Sequence, residues 1–222
     1  MPRQQQPSAR TARRRSYDQF CATARALDSV GDRWTLLIVR ELLAGPRRYT
    51  DLHADLPGVS TDVLASRLRD MEQGGLVTRR RLPPPAAASV YELTGRGHEL
   101  LPVLTALAEW GAPAIGERRP TDAVRAHWFA LPLRRALAGL THEGIVEVHL
   151  DEGEFHIRVG GPDVDAGVYG DGPAAHADAR IALDTELCLA LGRGECTLAE
   201  AVKDGRIVVV GEGPLAGELR GE

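Results

Sequence analysis

The sequence predicts an α+β fold in two parts: a helical N-terminal part closed by a β-hairpin, and a C-terminal part in which strands and helices mix. Three observations lead there. Soluble domains usually run to ~100–200 residues, so 222 residues hold one large domain or two modest ones. Charge is segregated along the chain: residues 1–119 carry 18 Arg and Lys against 13 Asp and Glu, net +5, whereas residues 120–222 carry 9 against 18, net −9, together the formal −4 of the whole. A basic half suits a polyanionic partner and an acidic half does not, which favours two domains over one. The hydrophobic period also changes, from three- and four-residue steps before Pro120 to alternation after it. The expected divisions are a disordered basic arm at 1–16, a first domain at 17–119 and a second at 120–222.

No apolar run approaches the ~20 residues that cross a bilayer, and the N-terminus lacks the apolar stretch of a signal peptide, so a cytoplasmic location is expected. Cys21, Cys188 and Cys196 are odd in number and form no C-x-x-C pair, which argues against a disulfide framework and a zinc ribbon and leaves reduced thiols as the expectation. Lys203 is the only lysine, a bias we assign to genomic base composition and give no functional weight.

Residues 1–16 are polar and Arg-rich without apolar periodicity. Arg13, Arg14 and Arg15 read either as a phosphate contact or as a solvated terminus. Over residues 17–30, Phe20, Cys21, Ala24, Leu27 and Val30 recur at helical steps and predict one buried stripe. Gly31 ends that helix, and Asp32 caps a second carrying Trp34, Leu37, Ile38, Glu41 and Leu42 up to Gly45-Pro46. A short helix at 51–56 puts Leu52 and Leu56 toward one core, and Pro57-Gly58-Val59 makes a tight turn. Ser60 or Thr61 then caps a longer helix to about Gln73, with Val63, Leu64, Leu68 and Met71 as its apolar side. A short helix, a Gly-containing turn and a longer amphipathic helix with Ser, Thr and Arg outward make a helix-turn-helix, whose second helix enters the major groove of DNA.

The hairpin comes next: strands at 76–82 and 89–93 joined by Pro83-Pro84-Pro85 read as a wing. Arg79, Arg80 and Arg81 are consecutive on its first strand, so two of the three share a face. They suit phosphate or minor-groove contact, or else guard an exposed edge against strand pairing. Thr94 caps a last long helix through Leu100, Leu101, Leu104, Leu107, Ala108 and Trp110, with Pro102 expected to kink it. Its apolar surface exceeds the needs of a small domain and predicts, with the first helix, a dimer interface; packing on the second domain is the alternative.

The run from Cys21 through Val30-Gly31-Asp32-Arg33-Trp34-Thr35-Leu36-Leu37-Ile38, then Arg48-Tyr49-Thr50-Asp51-Leu52, then Val59-Ser60-Thr61 with Leu64, Arg67 and Leu68, and finally Tyr91-Glu92-Leu93-Thr94, resembles the HxlR-type winged helix-turn-helix regulators over residues 17–111. The resemblance implies double-stranded DNA as partner. Base readout falls to Ser60, Thr61, Val63, Ser66, Arg67 and Arg69, and backbone contact to Arg48, Arg79, Arg80 and Arg81. Members of that family often sense oxidants through a cysteine at the start of the first helix, a place that Cys21 occupies. Arg25, one turn on, favours a thiolate; a buried small apolar side chain is the alternative reading.

In the second half a helical stretch at 123–140 carries Trp128, Phe129, Leu133 and Leu137. Strands follow at 145–150 and 154–159, then a strand at 180–183, helices at 185–191 and 197–203 and a strand at 206–210, an α+β arrangement with several antiparallel strands. Ile181-Ala182-Leu183-Asp184-Thr185-Glu186-Leu187 through Gly192, with Thr197-Leu198-Ala199-Glu200 through Gly205, resembles the sterol carrier protein type 2 fold over residues 144–219. That resemblance implies a hydrophobic small-molecule effector near Trp128, Phe129, Leu133, Leu187 and Leu191, residues that ordinary core packing also accounts for. The seven histidines are scattered without metal spacing, and the glycines from Gly160 to Gly172 lack the Lys-Ser/Thr of a phosphate loop, so no catalysis, metal or cofactor is expected. Together the resemblances imply a homodimeric DNA-binding regulator, read as a repressor, controlled by a hydrophobic molecule or by Cys21 oxidation. A ligand carrier or a protein-interaction module is the rival.

Overall fold

The computed structural model describes residues 16–86, 88–160 and 168–222; the expected arm, apart from Ser16, lies outside the described residues. The N-terminal half runs α1 (Ala22–Val30), α2 (Thr35–Leu43), β1 (Arg47–Arg48), α3 (Tyr49–Asp55), α4 (Thr61–Gln73), β2 (Val77–Arg81), β3 (Ser89–Leu93), α5 (Gly95–His98) and α6 (Leu101–Gly111). Ser60 and Thr94 cap α4 and α5 as expected, whereas Asp32 does not cap α2, which starts at Thr35 behind Trp34; its carboxylate shapes the turn before it. The Asp32 carboxylate accepts the Trp34 N–H at 3.1 Å, Ser60 Oγ that of Val63 at 3.4 Å and Thr94 Oγ1 that of Gly97 at 3.1 Å. Leu42, Leu52, Leu64, Leu68, Val77 and Leu93 close a buried core between the helices and a three-stranded antiparallel sheet of order β1-β3-β2. This is a winged helix-turn-helix.

Four local expectations are corrected. The first helix begins only at Ala22, and of its expected stripe only Ala24 and Val30 are buried, while Phe20, Cys21 and Leu27 are exposed. The residues before it fold back along α1: Ser16 Oγ and the Tyr17 N–H both donate to Asp28, at 3.0 and 2.8 Å, and Asp18 turns the chain with φ 52°. Val63 lies on the exposed side of α4, not among its core residues. Pro102 does not kink one long helix. The chain breaks after α5, and Pro102 sits in the first turn of α6, where a missing N–H costs nothing. The two-residue β1, next to Pro46, completes the sheet by pairing Arg47 with Tyr91 and Arg48 with Val90.

The C-terminal half begins with a 3-10 turn (Ala126–Phe129) and continues α7 (Ala130–Ala136), β4 (Gly144–Leu150), β5 (Gly153–Val159), β6 (Tyr169–Asp171), β7 (Ala179–Ala182), α8 (Thr185–Arg193), α9 (Leu198–Lys203), β8 (Val208–Val210) and α10 (Pro214–Arg220). The single helix expected at 123–140 is divided because Pro132 has no N–H to give to a carbonyl four residues back, so regular helix starts just before it. The five strands form one sheet of order β6-β5-β4-β7-β8. It is mixed and not wholly antiparallel: residues 172–178 carry the chain past β5 and β4, and β7 returns parallel to β4. Val146, Val148, Phe155, Ile157 and Ile181 alternate onto its inner face, where Leu133, Leu137, Leu187, Leu191 and Leu215 of the helices cover them. The buried apolar residues of the two halves form one continuous cluster. No helix among the described residues is long and apolar enough to cross a membrane.

Candidate nucleic-acid interface

The long helix α4 is amphipathic in the strict sense. Leu64, Leu68 and Met71 are buried, and the row opposite them at steps of four, three and four is Asp62, Ser66, Arg69 and Gln73. Its N-terminus is pinned by α3, since Tyr49 Oη donates to the Thr61 carbonyl at 2.7 Å. Ser60, Thr61 and Val63 are exposed around that end, as is Arg69, whose Nε donates to the Ala65 carbonyl at 3.3 Å. Arg67 points along the flank. Its guanidinium meets Asp70 at 2.7 Å and Asp32 at 3.4 Å, tying α4 to the turn between α1 and α2. Asp62 and Gln73 escaped the sequence reading, although counting the 3.6-residue period from Leu64 places both on the outward row.

The hairpin register sets Arg79 opposite Tyr91 and Arg81 opposite Ser89 on one face, with Arg80 on the other. Arg79 lies 5.9 Å from the Tyr91 ring centroid, and both it and Arg81 are exposed. Arg80 gives its Nε–H to both oxygens of Glu92, at 3.1 and 3.0 Å, so its charge is locally met. Arg48 is exposed on β1. All ten residues expected at DNA therefore sit on exposed or half-exposed positions at α4 and the wing sheet, with Arg67 and Arg80 engaged in ion pairs as well.

The sequence profile of the HxlR-like helix-turn-helix family matches residues 29–119. An uncharacterized HTH-type transcriptional regulator of Synechocystis is 38% identical over 93 residues, 42% of this chain and 69% of that protein. The HTH-type transcriptional regulator YvaP of Bacillus subtilis is 37% identical over 91 residues, covering 41% of this chain and 84% of its own, and YodB of the same organism is 34% identical over 85 residues, covering 38% and 76%. The chain belongs to the HxlR-like helix-turn-helix family. With these relatives it is a DNA-binding transcriptional regulator.

What the HxlR-like half of this chain rests on is a buried polar joint that the sequence left unread. Glu41 of α2 is fully buried and accepts from Arg40 Nε at 2.9 Å, Trp128 Nε1 at 2.8 Å and His127 Nε2 at 2.7 Å. His127 Nδ1 lies 3.1 Å from Asp171 of β6, and Arg47 of β1 binds the same carboxylate at 3.0 Å. Tyr169 Oη donates to the Arg40 carbonyl at 2.9 Å, and the Arg40 guanidinium lies 4.1 Å from the Trp128 ring centroid. Beside this cluster Arg125 grips Asp55 at 2.8 Å and the Ala54 carbonyl at 3.1 Å. Burial alone would lower the His127 pKa and raise that of Glu41. The His127 bonds to Asp171 and Glu41 outweigh it, so His127 is raised, and the bond from His127 and the charge of Arg40 lower Glu41. The hydrogen bond from His127 likewise holds the Asp171 carboxyl well below the usual range.

Cys21 is exposed at the N-cap of α1, where the N–H groups of Ala24 and then Thr23 hold its thiol below its ordinary value. Cys188 is buried, and desolvation pushes its thiol up to about 12. The five residues expected around an apolar ligand are not gathered about an opening. Leu133, Leu187 and Leu191 are buried in the core, Phe129 packs against it, and Trp128 faces Glu41. Among the described residues no group of three or more His, Cys, Asp or Glu side chains is placed to hold a metal.

A raised histidine stabilises the fold fully below its unfolded value of 6.5 and loses that contribution as pH climbs through the folded value; the depressed carboxylates lose theirs only in acid. Thermal melts should therefore show the protein losing stability from pH 6.5 toward 9, with a flatter profile in His127→Gln. Equal slopes in the two proteins would show that His127 does not carry the charge of the joint.

Proposed function

We propose that the protein is a sequence-specific transcriptional repressor that binds double-stranded DNA as a homodimer, with α4 in the major groove and the wing on the backbone. The observation that carries this is the outward row of Asp62, Ser66, Arg69 and Gln73 on a helix whose other side is core, flanked by the exposed Arg79 and Arg81. The homodimer is supported by apolar surface that the fold leaves bare. Tyr17, Phe20 and Leu27 at α1, with Val103, Leu107 and Trp110 of α6, are large side chains in water, Trp110 at 82% exposure. A two-fold axis through these helices would present two α4 helices to half-sites one DNA turn apart, and blocking a promoter is the direct consequence of such occupancy.

In this reading residues 17–119 bind DNA and residues 120–222 form the regulatory half. A sterol-carrier-like mixed sheet backed by helices would take an apolar guest by parting Leu133, Leu187 and Leu191, which are now buried. Cys21 has better credentials as a control point: it is exposed, its thiol is lowered, and it adjoins Phe20 of the bare face. Native alkylation followed by mass spectrometry should label Cys21 and spare Cys188; an unlabelled Cys21 ends the redox reading.

The DNA assignment is tested by fluorescence anisotropy with a duplex from the upstream region and with single-base variants of it. Arg69→Ala should cost about 1–3 kcal/mol on the preferred sequence and flatten its preference at one position, whereas Arg81→Ala should weaken every duplex alike and reduce the salt slope. Saturation should come at two chains per site. Uniform weakening by both variants would remove α4 from the role of reader.

A further inference from the structure

We infer that the cleft between the α2–β1 turn and the β6 edge of the second sheet binds a small oxyanion, a carboxylate or phosphate compound of a few heavy atoms, with Arg158 and His156 as its ligands. The cleft is a cavity of about 180 Å³ walled on one side by Ala44 and Gly45 and on the other by Ile145, His156, Arg158 and Asp171. At about 30 Å³ per water it accommodates roughly six waters, well below the ~300 Å³ at which drug-sized pockets begin, so a small guest fills it.

Charge decides the class of guest. His156 and Arg158 are two apart on β5 and therefore share a face. Among the described residues the Arg158 side chain has no hydrogen-bond or ion-pair partner. His156 gives its Nδ1–H to the Gly172 carbonyl at 3.0 Å, so Nε2, above the bare backbone of Gly170 where a Cβ would fall 2.4 Å from it, accepts from a guest hydroxyl such as that of hydrogen phosphate in the neutral ring and donates to an oxyanion in the imidazolium. Behind this wall the carboxylates are already spoken for. Asp171 is held by His127 and Arg47, and Glu41 by Arg40, Trp128 and His127. Glu147, opposite His156 in the strand register, is matched by Arg180 at 2.8 Å. Nε and Nη2 of Arg47 are moreover buried without a hydrogen-bond partner among the described residues. Of the charged groups that line the cleft, the Arg158 guanidinium is unpaired among the described residues, and the Asp171 carboxylate is already met by Arg47 and His127. An excess of positive charge in a partly desolvated recess attracts an anion. The inference stands apart from the DNA-binding reading and is tested without DNA.

The test is calorimetric titration of the full chain with sodium phosphate and, separately, with sodium pyruvate, at ionic strength held constant with sodium chloride. At least one probe should bind saturably at a single site, and the stronger of the two tells a phosphate from a carboxylate ligand. Arg158→Gln, at an exposed position that folding does not depend on, should weaken it at least tenfold. Gly170→Ala, which displaces His156, should do the same, and Arg193→Gln, an equal loss of charge elsewhere, should leave it unchanged. Heats that do not saturate with either probe, or equal affinities for the wild type and Arg158→Gln, would overturn the site.

Discussion

Glu41 is the residue on which the arrangement of the two halves depends. A carboxylate sunk in a helix face among Ile38, Leu42 and the sheet residues would cost several kcal/mol if left alone, because burial strips it of water. It is tolerated because Arg40, Trp128 and His127 each place a donor on it, and two of those three come from more than 80 residues away. The chain continues outward from His127 to Asp171 and from Asp171 to Arg47. Two elements of the helix-turn-helix half, α2 and β1, are thereby bonded to the start of the C-terminal half and to the edge strand of its sheet.

That joint has consequences for the surface proposed to face DNA. The strand β1 holds the hairpin through its pairing with β3, and α3 follows it directly, pinning the start of α4 through Tyr49. Asp171 and Arg47 are therefore linked to both the wing and α4 through short bonded paths. Charge separation between the halves has a counterpart here. The acidic C-terminal half directs its Asp171 at Arg47 of the basic half, while Ser66, Arg69, Arg79 and Arg81 remain turned away and exposed or half-exposed. His127, the neighbouring cleft and Cys21 thus lie on different parts of one body whose buried apolar residues form a continuous cluster.

What was legible in the residues follows from how local each signal is. The α4 helix and the wing announce themselves within a few residues: Ser60 caps, Leu64, Leu68 and Met71 repeat at helical steps, Gly74-Gly75 stops, and the prolines after Leu82 turn the hairpin. Phe20 and Leu27 keep the same helical step yet end in solvent, because periodicity marks an apolar face without saying what covers it. The strands β1 and β6 are two and three residues long and exist only through their partners β3 and β5, so nothing in their own composition marks them. Glu41 looked like one more member of the α2 stripe. Its partners lie in another part of the chain, and a charged residue at a core period was the one available hint.

The most direct test of the joint is a double-mutant cycle on Glu41 and His127, with Glu41→Gln, His127→Gln and the pair compared by urea unfolding of the full chain. If the buried bond joins the halves, each single change should cost about 3–5 kcal/mol by stranding its partner, the double should cost little more than either, and unfolding should stay a single transition in the wild type. Costs that simply add, to within about 0.5 kcal/mol, would mean that the two groups do not sense each other and that the buried Glu41–His127 bond is not what joins the halves.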